Sequence, residues 1–170
     1  NSGSSANLLM MSSLTSNKKN LGKYHLPEGS KILTPIVCFP TTLNPILQCG
    51  YKPVFIDVDL PSLNLNLDQM EEMLKADTNK EIKAVIFAHV LGNPPHMDRF
   101  MALVEEYDLI FLEDACDALG STYDGKKLGS YGHMSTCSFY PAHHMTMGEG
   151  GFIATDIYPL RKAVASFRDW

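Results

Sequence analysis

The sequence predicts an α/β domain: a three-layer arrangement around a mostly parallel sheet, joined by right-handed crossovers. Three observations carry this. The runs Ile82-Lys-Ala-Val-Ile-Phe-Ala-His-Val90 and Leu109-Ile-Phe-Leu-Glu-Asp-Ala115 are apolar at nearly every position, as strands buried on both faces are in parallel sheets. Between such runs lie stretches with apolar residues at helical spacing, Leu67, Met70 and Leu74, then Met97, Phe100, Met101 and Val104. Strand-like and helix-like segments alternate along the whole chain.

Taken in order, Asn1-Ser-Gly-Ser-Ser-Ala-Asn7 precedes an apolar run from Leu8 to Leu14 that reads as a helix. Small residues ahead of a helix leave free N–H groups and a positive dipole end, which together make an anion site; serines there equally fit an ordinary N-cap. Residues 15–30 are polar and read as a loop. Lys31 to Cys38 reads as a strand entered near Pro35 and left through Phe39-Pro-Thr-Thr42. The next helix takes Thr42 as its cap, Pro45 in its first turn and Gly50 as its stop. Phe39 stands at a strand end, where an aromatic can face a ring-shaped ligand, although core packing is the commoner fate of Phe.

Lys52 to Asp59 is a short strand. Asn66, three residues before Gln69, caps a helix running to about Lys75. His89 closes the Ile82–Val90 run and fits a satisfied core histidine better than a ligand. Leu91-Gly-Asn-Pro-Pro95 breaks the chain, and the helix after it ends near Tyr107. Glu113 and Asp114, at the far end of the next strand, are costly to bury without partners. Ala118 to Ser130 is rich in turn residues. Met134 to Tyr140 alternates as a strand until Pro141 ends it. His143 and His144 follow, then Gly148, Gly150 and Gly151 permit a tight return into a strand at Phe152–Thr155. A polar pair just past a strand end is where an open α/β sheet places its chemistry. Pro159 to Trp170 reads as a helix.

Composition narrows the function classes. The 170 residues are 45% hydrophobic, enough for one domain with a real core. A net charge of −5 gives no basic footprint for nucleic acid or an anionic membrane. No apolar run approaches the roughly 20 residues of a membrane span. Cys38, Cys49, Cys116 and Cys137 have no paired spacing, which fits a reduced, cytoplasmic protein better than a disulfide scaffold. The chain opens without an initiator Met or a secretory signal and ends inside a helical run, so residues 1–170 are expected to be part of a longer protein.

The stretch Ser138-Phe-Tyr-Pro-Ala-His-His-Met-Thr-Met-Gly-Glu-Gly-Gly151 resembles the lysine segment of the DegT/DnrJ/EryC1/StrS sugar aminotransferases, which use pyridoxal phosphate. Ser138, Phe139, Glu149, Gly150 and Gly151 match that segment, and His143 holds the lysine position. The exchange is similar to the histidine-bearing sugar 3-dehydrase branch, most of all to its members acting on CDP-6-deoxy-4-hexulose. A lysine amine can form a Schiff base with the cofactor aldehyde, whereas imidazole has no primary amine and cannot. It can still move protons, since its ordinary pKa of about 6.5 suits acid–base work near neutrality.

The resemblance implies the large cofactor-binding domain of fold-type-I pyridoxal-phosphate enzymes, residues 1–170, with the small domain lying elsewhere in the full protein. It implies that Ser4 and Ser5 hold the phosphate, that Phe39 lies on the ring, and that Asp114 meets the pyridine nitrogen. Asp117 stands where other members carry Gln or His. Ser138 joins the same cofactor set, and His143 is the catalytic base. The implied cofactor is pyridoxamine or pyridoxal 5'-phosphate. The implied reaction is loss of the C3 hydroxyl from a nucleotide-linked 4-keto-6-deoxyhexose in dideoxysugar and lipopolysaccharide O-antigen biosynthesis, carried out by a homodimer. In the iron–sulfur members a cysteine at the position of Cys116 is one ligand of a 2Fe–2S cluster served by a flavin or iron–sulfur reductase; a plain buried thiol fits the residue as well. Two alternatives stay open: a cluster-free GDP-sugar 3-dehydratase that regenerates its amine from glutamate, and an aminotransferase-like protein without catalytic lysine that serves as a sensor or partner subunit.

Overall fold

The computed structural model describes residues 1–60 and 62–169. Among them, six strands form one sheet in the order β10-β9-β6-β5-β1-β2. These are β1 (Lys31–Pro35), β2 (Lys52–Ile56), β5 (Ile82–Ala88), β6 (Ile110–Asp114), β9 (Met134–Ser138) and β10 (Gly151–Ala154). Every neighbouring pair is parallel except β9 with β10, which run antiparallel. Two short hairpins, β3 with β4 (Val58–Asp59, Asn64–Leu65) and β7 with β8 (Thr122–Tyr123, Lys126–Lys127), stand outside it. The second turns on Asp124-Gly125, both with positive φ, the Asp-Gly preference of a tight hairpin.

Alternate residues of the central strands face opposite layers. Ile32, Ala84, Ile86, Ile110, Leu112 and Met134 pack under Met10, Met11, Ile46 and Leu160. These last come from α1 (Gly3–Ser13), α3 (Pro40–Gln48) and α6 (Tyr158–Asp169). Leu33, Val85, Phe87 and Phe111 pack on the other side under Met70, Leu74, Phe100 and Val104, which belong to α4 (Leu67–Ala76) and α5 (Met97–Glu106). Burial on both faces is thus the reason the strands read as unbroken apolar runs. No described helix is long and apolar enough to cross a membrane.

Several expectations change in detail. The strand at Lys31 stops at Pro35 instead of reaching Cys38: its last partner is Ile56, and the Ile36 N–H makes one further bond, to the Ile56 carbonyl. Residues 15–30 are not all loop. Asn17 accepts from the Lys19 N–H and starts α2 (Lys18–Leu21), so that Leu21 and Leu26 reach the core. Thr42 does not cap α3; that helix begins two residues earlier, with Phe39 as N-cap and Pro40 in the first turn. Asn66 caps α4 as expected, accepting from the Gln69 N–H at 2.9 Å. The expected C-terminal helix is present as Tyr158–Asp169; Trp170 lies outside the described residues.

Candidate active site

The chain switches direction across the sheet between β1 and β5, and a cleft of about 480 Å³ opens at the carboxyl ends of the parallel strands, where open α/β sheets bind ligands. Phe39 follows β1, Ala88 closes β5, Asp114 closes β6, and Ser138 closes β9; all four line the cleft. Ser4, Cys116, Asp117 and His143 line it too. Residues far apart in the chain therefore meet because the strand ends, the loops that follow them and the start of α1 share one edge.

One wall is the start of α1. Ser2 caps the helix, its hydroxyl accepting from the Ser5 N–H at 3.0 Å, and the Ala6 N–H bonds the Ser2 carbonyl. Among the described residues the Gly3 and Ser4 N–H groups find no acceptor and are the open donors of the first turn. Ser4 borders the cleft; Ser5 lies outside its lining and donates its hydroxyl to Asn1 Oδ1 at 2.6 Å. The small residues here are a packing requirement. A Cβ on Gly3 would sit 2.5 Å from Ser138 Cβ, and one on Gly151 would sit 2.3 Å from the Ser2 carbonyl oxygen. Glycine at these two positions lets α1 seat against the ends of β9 and β10.

Asp114 forms the floor. It is 5% exposed. Its Oδ2 accepts from Asn7 Nδ2 at 2.8 Å and from Thr42 Oγ1 at 2.8 Å, and its Oδ1 accepts from the Cys116 N–H at 3.2 Å. Phe39, 68% exposed, projects from the rim. Burial, together with the Asp114 carboxylate nearby, pushes the Cys116 thiol above its ordinary range.

His143 and His144 take different places. His143 lines the cleft, and its Nδ1 lies 3.1 Å from Asp117 Oδ1. This carboxylate faces the Nδ1 side of the ring, so Nε2 is the nitrogen turned away from it. His144 is exposed and outside the lining. Tyr140, edge-on to His143 with ring centroids 6.5 Å apart, completes that wall.

His89 is fully buried away from the cleft lining, with Nε2 3.0 Å from Glu113 Oε2. Glu113 also accepts from the Gly129 and Tyr131 N–H groups, each at 2.7 Å, and from that of Gly132. This pair anchors the 129–132 turn, so the acidic strand end holds one structural and one cleft-facing carboxylate. Sequence reasoning missed Asn7, Thr42 and Thr136, which surround Asp114. Asn7 did carry a signal: it is an amide within a helix face otherwise made of Ala6, Met10 and Met11. Thr42 was hidden by its fitness as a cap. Among the described residues, no cluster of three His, Cys, Asp or Glu side chains forms a metal site.

Similar proteins share this arrangement of elements. The chain is 46% identical over 169 residues to the lipopolysaccharide biosynthesis protein RfbH of Salmonella typhimurium strain LT2, covering 99% of this chain and 37% of that protein. It is 47% identical over 170 residues to the dTDP-4-dehydro-2,6-dideoxy-D-glucose 3-dehydratase of Saccharopolyspora spinosa, covering 100% of this chain and 36% of the relative. The solved structure of E. coli GDP-4-keto-6-deoxy-D-mannose-3-dehydratase with bound hydrated PLP superposes with a TM-score of 0.85 at 35% identity, covering 96% of this chain and 40% of that one. The chain thus spans less than half the length of these relatives. The model of the DegT/DnrJ/EryC1/StrS aminotransferase family matches residues 1–170 from end to end, and the chain belongs to that family.

Proposed function

We propose that the full-length protein is a pyridoxamine- or pyridoxal-phosphate-dependent 3-dehydratase acting on a nucleotide-linked 4-keto-6-deoxyhexose. The observation that carries this is His143, set in the cleft wall at the family's lysine position with its Nδ1 3.1 Å from Asp117 Oδ1. The residues present fit the cofactor. The open N–H groups of the first turn of α1 suit a phosphate, the buried Asp114 carboxylate suits a protonated pyridine nitrogen, and the exposed Phe39 ring suits stacking on a flat heterocycle. Ser138 lies between these groups at the end of β9, its hydroxyl accepting from the Tyr140 N–H at 3.3 Å. Ser5 supports the phosphate end through its link to Ser2.

When bound, pyridoxamine phosphate would supply an amine for the C4 ketone of the sugar and a ring that takes up the electron pair left by proton removal and gives it back as the C3–O bond breaks. The chain supplies the rest. Nε2 of His143 takes a proton and returns it to the departing C3 hydroxyl. Asp117, with Oδ1 3.1 Å from Nδ1, faces one side of the ring and leaves Nε2 as the nitrogen that acts. Asp114 holds the pyridine ring in its protonated state. The enzyme is cytoplasmic, a reading supported by four free thiols in the domain, and a homodimer, a reading that rests on the family resemblance alone. The wider pathway is dideoxysugar and lipopolysaccharide biosynthesis.

The test is incubation of the full-length protein, loaded with pyridoxamine phosphate, with GDP-, CDP- and dTDP-linked 4-keto-6-deoxyhexoses. The expected product has lost its C3 oxygen by mass spectrometry, and His143→Gln binds cofactor with turnover reduced about 10²- to 10⁴-fold. Transfer of nitrogen to the sugar with C3 intact would overturn the reading.

Two forms of this reaction differ at Cys116. A 2Fe–2S cluster served by a reductase needs further cysteines from outside residues 1–170, since no metal-binding group lies among the described residues. The cluster-free form takes glutamate as its amine donor and leaves Cys116 a plain thiol beside Gly3. Iron in the anaerobically prepared full-length protein, lost in Cys116→Ser, would select the cluster; glutamate-supported turnover without iron would select the other form.

A further inference from the structure

Asp114 is held by a directed chain of side chains from four elements. Its own carboxylate only accepts, so Asn7 must turn Nδ2 toward it. Asn7 Oδ1 then faces Thr136, whose hydroxyl donates to it at 2.6 Å. Thr42 donates to Asp114 from the other side at 2.8 Å. Asn7 lies on α1, Thr42 on α3, Asp114 on β6 and Thr136 on β9, where Thr136 is the register partner of Asp114. Asn7 is 1% exposed, and Thr42 and Thr136 are 0% exposed. Buried polar groups of this kind are retained when each has its partner, and here each does.

The two carboxylate oxygens are used unequally. A carboxylate oxygen offers about two lone-pair sites. Those of Oδ2 are filled by Asn7 and Thr42, whereas Oδ1 receives the longer 3.2 Å contact from the Cys116 N–H. Among the described residues Oδ1 is thus the more lightly held of the two oxygens, with the Cys116 main chain and thiol beside it, on a residue that lines the cleft.

We propose that Asn7, Thr42 and Thr136 are positioning residues for the cofactor ring: they fill Oδ2 and fix the carboxylate plane so that Oδ1 meets the ring N–H. Thr136 acts at one remove, by holding the Asn7 amide in the orientation that donates. This rests on the reading of the cleft as a pyridoxal-phosphate site, and the test separates the two. If a phosphate-bearing ring binds elsewhere or not at all, wild-type protein fails; if only the relay is wrong, wild type succeeds and the variants match it.

The experiment uses the full-length protein and pyridoxal phosphate labelled with ¹⁵N in the ring, read by the nitrogen chemical shift of the bound species and by its dissociation constant. Wild type should bind with a protonated ring nitrogen; no bound signal would overturn the site reading and the proposal with it. Asn7→Leu should bind about tenfold or more weakly, with the nitrogen signal moved toward the unprotonated position, because a donor to a charged group is lost. Thr136→Val should shift the signal in the same direction by less, and Thr136→Ser, which keeps the hydroxyl, should restore it. The double variant Asn7→Leu/Thr136→Val should be no worse than Asn7→Leu alone, since Thr136 acts only through Asn7. Additive losses would mean independent packing effects and would overturn the relay, as would unchanged nitrogen shifts in folded Asn7→Leu and Thr136→Val. Ser13→Ala, also buried in α1 but bonded to the Met10 carbonyl, is the control and should leave the nitrogen signal in place.

Discussion

His143 and His144 are neighbours in sequence but separate in space: one borders the cleft against Asp117, the other faces solvent. A lysine at 143 should therefore reach a bound pyridoxal aldehyde and attach to it, whereas one at 144 should not. Borohydride treatment of each full-length variant with pyridoxal phosphate, followed by mass spectrometry, should fix cofactor to His143→Lys and leave His144→Lys unlabelled. Labelling of the second variant alone would shift the acting residue by one. Asp114→Asn tests the floor. An amide cannot hold a protonated ring nitrogen as a carboxylate does, so turnover should fall by orders of magnitude with the far-ultraviolet circular dichroism unchanged; near-normal turnover would remove Asp114 from its role. Part of the cleft lining was legible in the sequence: Asp114 is a charged residue at the end of β6, and Phe39 and His143, singled out by the family resemblance, follow β1 and β9 at the same edge. Thr42 and Thr136 were not legible, and Asn7 only as an amide in an apolar helix face, because a buried amide or hydroxyl has no period of its own and its partner lies 72 to 129 residues away.

Elements were legible where burial sets the pattern and obscure where hydrogen bonding does. β5 and β6 announce themselves through unbroken apolar runs. The end of β1 does not, since Ile36 and Val37 are apolar yet exposed, and the strand stops only because β2 stops beside it. The start of β9 shows the same dependence on a partner. The Phe111 N–H donates to His133 Nδ1 at 3.0 Å, and the His133 N–H donates to the Phe111 carbonyl at 2.8 Å. One histidine thus extends the β6–β9 ladder as a neutral acceptor. Burial lowers its pKa from the ordinary 6.5. The unfolded chain then binds a proton more readily than the folded one, so stability is full above about 6.5 and falls as the pH drops through the window below it. Denaturant midpoints measured from pH 7.5 downward should fall more steeply for wild type than for His133→Gln, and identical profiles would count against this assignment. At the other end of the same strand the constraint is steric. Gly3→Ala must push Ser138 aside, so it should weaken cofactor binding with little change in α-helix content, as read by equilibrium titration with pyridoxal phosphate; unchanged affinity would show that α1 can shift without disturbing the cleft.

At the scale of the whole domain, core and cleft share strands but not residues. Phe111 is fully buried between Phe87 and Phe100, with ring centroids 5.2 and 4.7 Å away, on the α4–α5 side of the sheet. The carboxylate of Asp114, three residues further along β6, is bonded, among the described residues, by groups from α1, α3 and its own turn. Topology alone joins them, by ending five parallel strands at one edge. The fold class was legible because that alternation of faces is written into each strand; the cleft was legible only as a consequence of it, since no local pattern says which strand ends will be neighbours. The separation has a measurable consequence. Phe111→Ala should cost about 3–5 kcal/mol of stability through lost burial and a cavity, and should lower the melting temperature of the full-length protein. A ligand that binds only the folded state adds stability set by its concentration relative to Kd, about 2.7 kcal/mol at a hundredfold excess. If core and cleft are separable, pyridoxal phosphate should raise the melting temperature of Phe111→Ala by as much as it raises that of wild type. Asp114→Ala should behave in the opposite way. Its loss leaves the Asn7 and Thr42 donors without their acceptor, which costs about 1–3 kcal/mol, and the rise on adding cofactor should shrink sharply because the ring nitrogen has lost its partner. Scanning calorimetry of the three proteins with and without pyridoxal phosphate reads both effects at once. A Phe111→Ala protein whose melting temperature no longer responds to cofactor would show that the packing behind the sheet sets the geometry of the cleft, and that the two cannot be treated apart.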